Sequence, residues 1–273
     1  MTPRAVRIAL PWALLLLFGV APAITAQPAH RVADINTTAS SGSVVFPIGD
    51  DAVTVAGIAF FVASDGVSGT ELWRSDGTAA GTRRVKDLCP GSCSANPVLL
   101  TAVGAELFFS ADDGAHGHEL WKSDGTEAGT LLVGDLAPGL LGSNPTTLTA
   151  WNGLLFFSAD DGIHGREPWV SDGTAAGTVL LGDLEPGATG SSPWPLASLG
   201  ATFFFSADDG VHGTELWRTD GTAAGTTLVK DINPGSGSSL SFGSPFFVPK
   251  AAALGGQLLF AADDGTHGSE PWA

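Results

Sequence analysis

The stretch "ELWRSDGTAAGT" at residues 71–82 decides the fold, because the chain writes it again and again. It returns as "ELWKSDGTEAGT" at 119–130, "EPWVSDGTAAGT" at 167–178 and "ELWRTDGTAAGT" at 215–226, and a fragment "EPW" stands at 270–272. The tryptophans Trp73, Trp121, Trp169 and Trp217 are spaced by 48 residues, and Trp272 follows after 55. A fixed period of this size marks a stack or ring of equal units.

One unit, 145–187, divides at its turn residues. "TTLTAW" predicts a strand closed by the hairpin pair Asn152-Gly153. "LLFFSA" is apolar on both faces, as a strand sandwiched between layers should be. "DDGIHG" is a loop, "REPWVS" a third strand, and Asp172-Gly173 opens the turn that follows. "TVLLGDL" is a fourth strand, stopped by Pro186-Gly187. No window holds a 3.6-residue period, so no helix is expected. Each unit is a four-stranded antiparallel meander, and meanders of this length in tandem are the blades of a β-propeller. A β-solenoid, the alternative, has shorter coils and parallel strands.

The expected blades cover about 46–92, 97–141, 145–189, 193–237 and 245–273. The last has three strands. Residues 30–43, "HRVADINTTASSGS", read like "TLVKDINPGSGSS" at 227–239, with Val32, Asp34 and Ile35 matching Val229, Asp231 and Ile232. Residues 30–36 are therefore expected to complete the last blade, leave no open sheet edge and close a five-bladed ring.

The four ELW-x-x-DGT segments resemble the ELWxxDGT repeat family of hyalin-like exported bacterial proteins, over essentially the whole chain after residue 26. Pro168 and Pro271 replace the family's Leu. The resemblance implies a propeller and carries no reaction or ligand. "SADDG" at 110, 158 and 206 also resembles the opening of the Asp-box of sialidase-type propellers, but the Trp comes later here.

Arg4 and Arg7, then the apolar run Ile8–Val20, then "APAITA", read as a secretory signal at 1–26, cut after Ala26 or, as the alternative, Ala23. No Cys follows the cut, so a lipid anchor is not expected. Residues 27–273 would then form one exported β-propeller domain with no membrane span. They carry ten lysines and arginines against 28 acids, a net charge of −18. Such a surface repels nucleic acid and anionic lipid and attracts divalent cations. Cys89 and Cys93 flank a Pro-Gly turn, and in an exported chain they read as a local disulfide.

Each recurring residue has a structural reading beside a functional one. Trp73, Trp121, Trp169, Trp217 and Trp272 are expected to pack between blades rather than to stack on sugars. Glu71, Glu119, Glu167, Glu215 and Glu270 share the face of those tryptophans, and backbone amides of an adjoining turn would satisfy them. Asp76, Asp124, Asp172 and Asp220 are hairpin residues. The pairs Asp112 and Asp113, Asp160 and Asp161, Asp208 and Asp209, and Asp263 and Asp264 suit calcium, or Asx turns without metal. Each is followed by a histidine, while the first blade has Asp65 and Ser68 instead.

In a meander the "DDGxHG" and "PGxxGSNP" loops share one face, and that face carries the variation: His118, Arg166, Thr214 and Ser269 occupy one position. The insertion at 234–250 with Phe242, Phe246 and Phe247 lies there too. The favoured reading is a non-enzymatic binding or structural module for an extracellular protein or glycan. A calcium-stabilised surface repeat is the alternative, and a carbohydrate-active enzyme the least favoured. A sialidase-type hydrolase needs a tyrosine nucleophile, and the chain has no tyrosine. The residues single out no catalytic or cofactor-binding group.

Overall fold

The computed structural model describes residues 31–36, 52–240 and 251–273. The signal-like segment and the three phenylalanines of the insertion lie outside them. The described chain is all-β. Its first sheet joins Val53–Val55 (β1), Ile58–Ser64 (β2), Thr70–Ser75 (β3) and Arg83–Arg84 (β4). The second joins Val98–Val103 (β5), Glu106–Asp112 (β6), His118–Ser123 (β7) and Leu131–Gly134 (β8). Thr146–Trp151 (β9), Leu154–Asp160 (β10), Arg166–Ser171 (β11) and Val179–Leu180 (β12) make the third. The fourth has Trp194–Leu199 (β13), Thr202–Asp208 (β14), Thr214–Thr219 (β15) and Thr227–Lys230 (β16). Ala251–Leu254 (β17), Gln257–Asp263 (β18) and Ser269–Trp272 (β19) form a three-stranded fifth sheet. Every pairing is antiparallel between strands consecutive in sequence, as in propeller blades.

Successive sheets meet through their first strands: β1 lies against β5, β5 against β9, β9 against β13 and β13 against β17. The core follows the same order, as four apolar clusters that each span two neighbouring sheets. Phe60, Val62 and Leu72 of the first sheet pack with Leu107, Phe109 and Trp121 of the second. Phe108 and Leu120 pack with Phe157 and Trp169, and Phe156 and Val170 with Phe205 and Trp217. Trp121, Trp169 and Trp217 are buried members of these clusters, while Trp272 is half-buried against the fourth sheet. Burying one such side chain stabilises the fold by about 1.5–3 kcal/mol.

One expectation is corrected. The fourth strand of the third sheet is shorter than "TVLLGDL": only Val179 and Leu180 are in the ladder. Leu181 still donates to the carbonyl of Pro168 at 2.9 Å. The chain then turns away, and the amides of Leu184 and Glu185 face the Glu167 carboxylate instead.

Closure of the ring through residues 30–36 is not seen among the described residues. Residues 31–36 form no strand, and the fifth sheet stays three-stranded, with the outer edge of β19 unpaired among the described residues. Val32, Ala33 and Ile35 lie beside the first sheet, lining a cavity with Phe61, Ser75 and Thr82.

Candidate functional site

Each of the first four sheets builds its loop face around one buried carboxylate. Glu71, Glu119, Glu167 and Glu215 have no exposed surface. Glu215 Oε2 accepts from the amide of Ile232 at 3.1 Å and the hydroxyl of Ser239 at 2.5 Å, and Oε1 accepts from the amides of Asn233 and Ser239. Glu119 and Glu167 hold the same loop through Ser143 and Ser191. The position of that serine is Ala95 in the first sheet, so Glu71 has only the amides of Leu88, Cys89 and Ala95. Burial pushes its carboxyl up to about 7, more than those amides pull it down. Burial also raises Glu119, Glu167 and Glu215, against the serine and amide bonds. These groups pin a loop. Glu270 is the exception and is exposed.

The pinned loop and the "DDGxHG" loop lie together. Asn144 N–H donates to the His118 carbonyl at 2.9 Å. Gly117, at φ +68°, comes so close that a Cβ there would sit 2.6 Å from Gly142 N and the Leu140 carbonyl. The disulfide Cys89–Cys93 closes the corresponding loop of the first sheet. Across to the next sheet, Asp160 N–H donates to the Ser143 carbonyl.

The paired aspartates are occupied within their own loops. Asp112, Asp160, Asp208 and Asp263 each accept from the glycine amide two residues on. Asp113 Oδ1 accepts from the amides of Ala115 and His116, and its Oδ2 lies 2.8 Å from His116 Nδ1. Asp161, Asp209 and Asp264 repeat this with His164, His212 and His267. In the first sheet Ser68 takes the histidine's place on Asp65. The aspartate raises each histidine, chiefly through that hydrogen bond. Burial raises Asp113, but the loop amides and His116 outweigh it and hold the carboxyl below its usual range. Among the described residues no three of His, Cys, Asp and Glu converge on a point where a metal ion would sit.

In the turns at the opposite end each aspartate is held within its own turn, while Arg74 and Lys86 of the first sheet reach across to the Gly125 and Thr130 carbonyls of the second. Asp124 Oδ1 accepts from the amide and hydroxyl of Thr126, whose hydroxyl accepts from Gly129 N–H. Asp76, Asp172 and Asp220 repeat the arrangement.

A groove that the repeat pattern does not show runs across the second and third sheets on the loop face. A cavity of about 330 Å³ is lined by Asn96, Ser110, His118 and Asn144. It shares Leu99 and Thr146 with a cavity of about 360 Å³ that reaches Thr101, Thr149 and Trp194 on the first strands. Bulges in β5 and β9 shape it. They leave Leu99 at φ +59° and Thr147 at +55°, left-handed conformations that cost bulky or β-branched residues about 1–3 kcal/mol each. Arg166 fixes the wall, donating to the Asn144 carbonyl and the Thr146 hydroxyl at 3.0 Å. His118 and Arg166 are two of the variable positions singled out above. Leu99, Thr147 and Trp194 carried no signal, because they belong to apolar first strands whose bulges alternation does not reveal.

No family model and no curated protein matches the chain. Among solved structures it is similar to puromycin hydrolase, at TM-score 0.43 and 16% identity, covering 75% of this chain and 31% of that one. It is similar to a puromycin-hydrolyzing peptidase of Mycobacterium tuberculosis, at TM-score 0.37 and 16% identity over 76% of this chain and 32% of that one. A third is an endo-arabinase from Bacteroides thetaiotaomicron VPI-5482, at TM-score 0.29 and 13% identity over 85% and 96%. The chain spans about a third of the length of the first two. The fold is read from strand order and register rather than from these likenesses.

Proposed function

We propose that the chain is an exported, non-enzymatic β-propeller of the ELWxxDGT repeat kind, which binds an extracellular protein or glycan through its loop face. The groove from His118 to Trp194 carries this reading. It joins the Trp194 ring and threonine hydroxyls on first strands to the Asn96 and Asn144 side chains of the loops before them, the composition of a concave binding site. The recurring carboxylates that would be catalytic candidates are held by loop amides, so the reading assigns none of them to chemistry.

A glycan array probed with labelled residues 27–273 tests it. Binding that falls at least about tenfold in Trp194→Ala, a loss of some 1.4 kcal/mol, supports the groove. Binding unchanged in that variant moves the site elsewhere, and turnover of any bound sugar overturns the non-catalytic role. Calcium at the paired aspartates is the alternative reading of those loops. A melt in excess EDTA and then in calcium is expected to be unchanged, and a rise of several degrees with calcium returns Asp112, Asp113 and their equivalents to metal binding.

A further inference from the structure

Away from the loop face, two positions recur in each of the first four sheets: the residue after the repeated Trp, and one in or just past the fourth strand. They hold Arg74 and Lys86, Lys122 and Gly134, Val170 and Gly182, and Arg218 and Lys230. Only the first and fourth sheets carry a cation at both. In the first, the neighbouring sheet takes up both cations. Arg74 Nη1 donates to the Gly125 carbonyl at 2.9 Å, and Lys86 Nζ donates to the Thr130 carbonyl at 2.8 Å. Lys122 of the second sheet is neutralised by Glu106 at 3.0 Å. The fourth sheet has Thr202 in the place of Glu106.

In the fourth sheet the same two cations border a cavity. It holds about 310 Å³ between the fourth and fifth sheets, walled by Phe204, Leu216, Phe260 and Trp272, with Arg218 and Lys230 in its lining. Arg218 Nε donates to the Thr227 hydroxyl of its own sheet at 3.3 Å, and Lys230 Nζ lies 4.9 Å over the Trp272 ring. Neither contact supplies a negative charge. No aspartate or glutamate lines the cavity, although acids outnumber lysines and arginines by 28 to 12 in the chain. An apolar chamber of this size with a few polar groups is the usual build of a small-molecule site. The net charge of −16 repels an extended anionic surface such as a membrane, whereas a single small anion meets chiefly the two local cations.

We infer that this cavity binds a small carboxylate with an apolar body, of the class of a medium-chain fatty acid anion. The alkyl chain enters between the rings of Phe204, Phe260 and Trp272 and the side chain of Leu216. Its head accepts from the guanidinium of Arg218 and the ammonium of Lys230, charge-assisted bonds of the strong kind. The contact with Trp272 holds the Lys230 ammonium where apolar wall and solvent meet. Each methylene buried strengthens binding roughly fourfold. The site is separate from the groove of the loop face, and its failure would leave that reading untouched.

Calorimetric titration of the full chain with octanoate, heptanoate and octanol tests this. Saturable octanoate binding is the expected result, with heptanoate roughly fourfold weaker. Octanol, and octanoate against the double variant Arg218→Gln with Lys230→Gln, should each bind at least about tenfold more weakly. Both replaced side chains are exposed, so the variant is expected to melt as the unchanged chain does. No binding of octanoate overturns the proposal, and so does binding that the double variant or the loss of the carboxylate leaves unchanged. Vesicles of anionic phospholipid are expected not to bind; vesicle binding without octanoate binding would make a membrane the partner and overturn it too. If the double variant melts early, the indole N–H resonance of Trp272 in the unchanged chain decides. Octanoate is expected to shift it and to leave that of Trp151 in place, and a Trp272 resonance that does not move overturns the proposal.

Discussion

The fourth and fifth sheets carry the same Glu-x-Trp, in "TELWRT" at 214–219 and "SEPWA" at 269–273, yet they treat it differently. Glu215 is buried under three amides and a hydroxyl, while Glu270 is exposed. Trp217 is buried with Phe156 and Phe203, whereas Trp272 is half-buried against the fourth sheet, with Lys230 Nζ 4.9 Å over its ring. The motif therefore does not bury itself. Its Glu is buried by a later loop that brings amides to the carboxylate, and its Trp by the sheet before its own. A carboxylate surrounded by apolar side chains with no donors would be unstable, so the Glu goes inside only where the loop comes with it.

The largest expected effect breaks or confirms that contrast directly. Trp217→Ala should cost about 3–5 kcal/mol in a denaturant melt, the range for a large buried aromatic. Trp272→Ala should cost less than about half of that, and equal costs would mean that β19 is covered in solution as β15 is. Next comes Glu215→Ala, which strands three amides and the Ser239 hydroxyl. It is expected to destabilise by about 3 kcal/mol, and a neutral outcome would refute the pinned loop.

The pH dependence sharpens the comparison further. Glu71 is raised to about 7 from an ordinary 4.5 by burial, and its three relatives are raised in the same direction. For such an acid the folded state holds its proton more tightly than the unfolded chain. Its stabilising contribution is complete below about pH 4.5 and is lost as the pH climbs through the folded value. His116, His164, His212 and His267, raised from 6.5 by their aspartates, also lose their contribution as the pH rises. Asp113, Asp161, Asp209 and Asp264 are lowered from 3.8, so theirs is lost only in stronger acid. Between pH 5 and pH 8 the melting temperature should therefore fall, and a rise would contradict both sets. The smallest expected effect is Ala95→Ser, which gives Glu71 the hydroxyl its relatives have. It should stabilise by about 1 kcal/mol and move the Glu71 titration downward, as followed by carboxyl chemical shifts against pH.

Much of the fold was legible because the repeat shows its own grammar. Asn152-Gly153, Asp172-Gly173 and Pro186-Gly187 mark the turns in residues that set backbone angles locally, so "REPWVS" coincides with β11. "TVLLGDL" was overread because the ladder ends where Leu184 and Glu185 turn to Glu167, a choice made by a residue 17 or more positions away. The groove was less legible. His118 and Arg166 stood out as variation on a fixed line. Leu99 and Thr147 did not, since their positive φ comes from bulges set by how β5 and β9 meet β6 and β10.

The sequence by itself determined the strands, their antiparallel order, the packing role of the tryptophans and the loops that share a face, because each follows from local turn chemistry repeated at a fixed period. Only the tertiary structure decided which carboxylates are buried, where the first strands bulge into a groove, and that Val32, Ala33 and Ile35 lie beside the first sheet while β19 pairs only with β18 among the described residues. Those outcomes depend on groups that meet across tens of residues, and the distance between them is set by packing rather than by any neighbouring side chain.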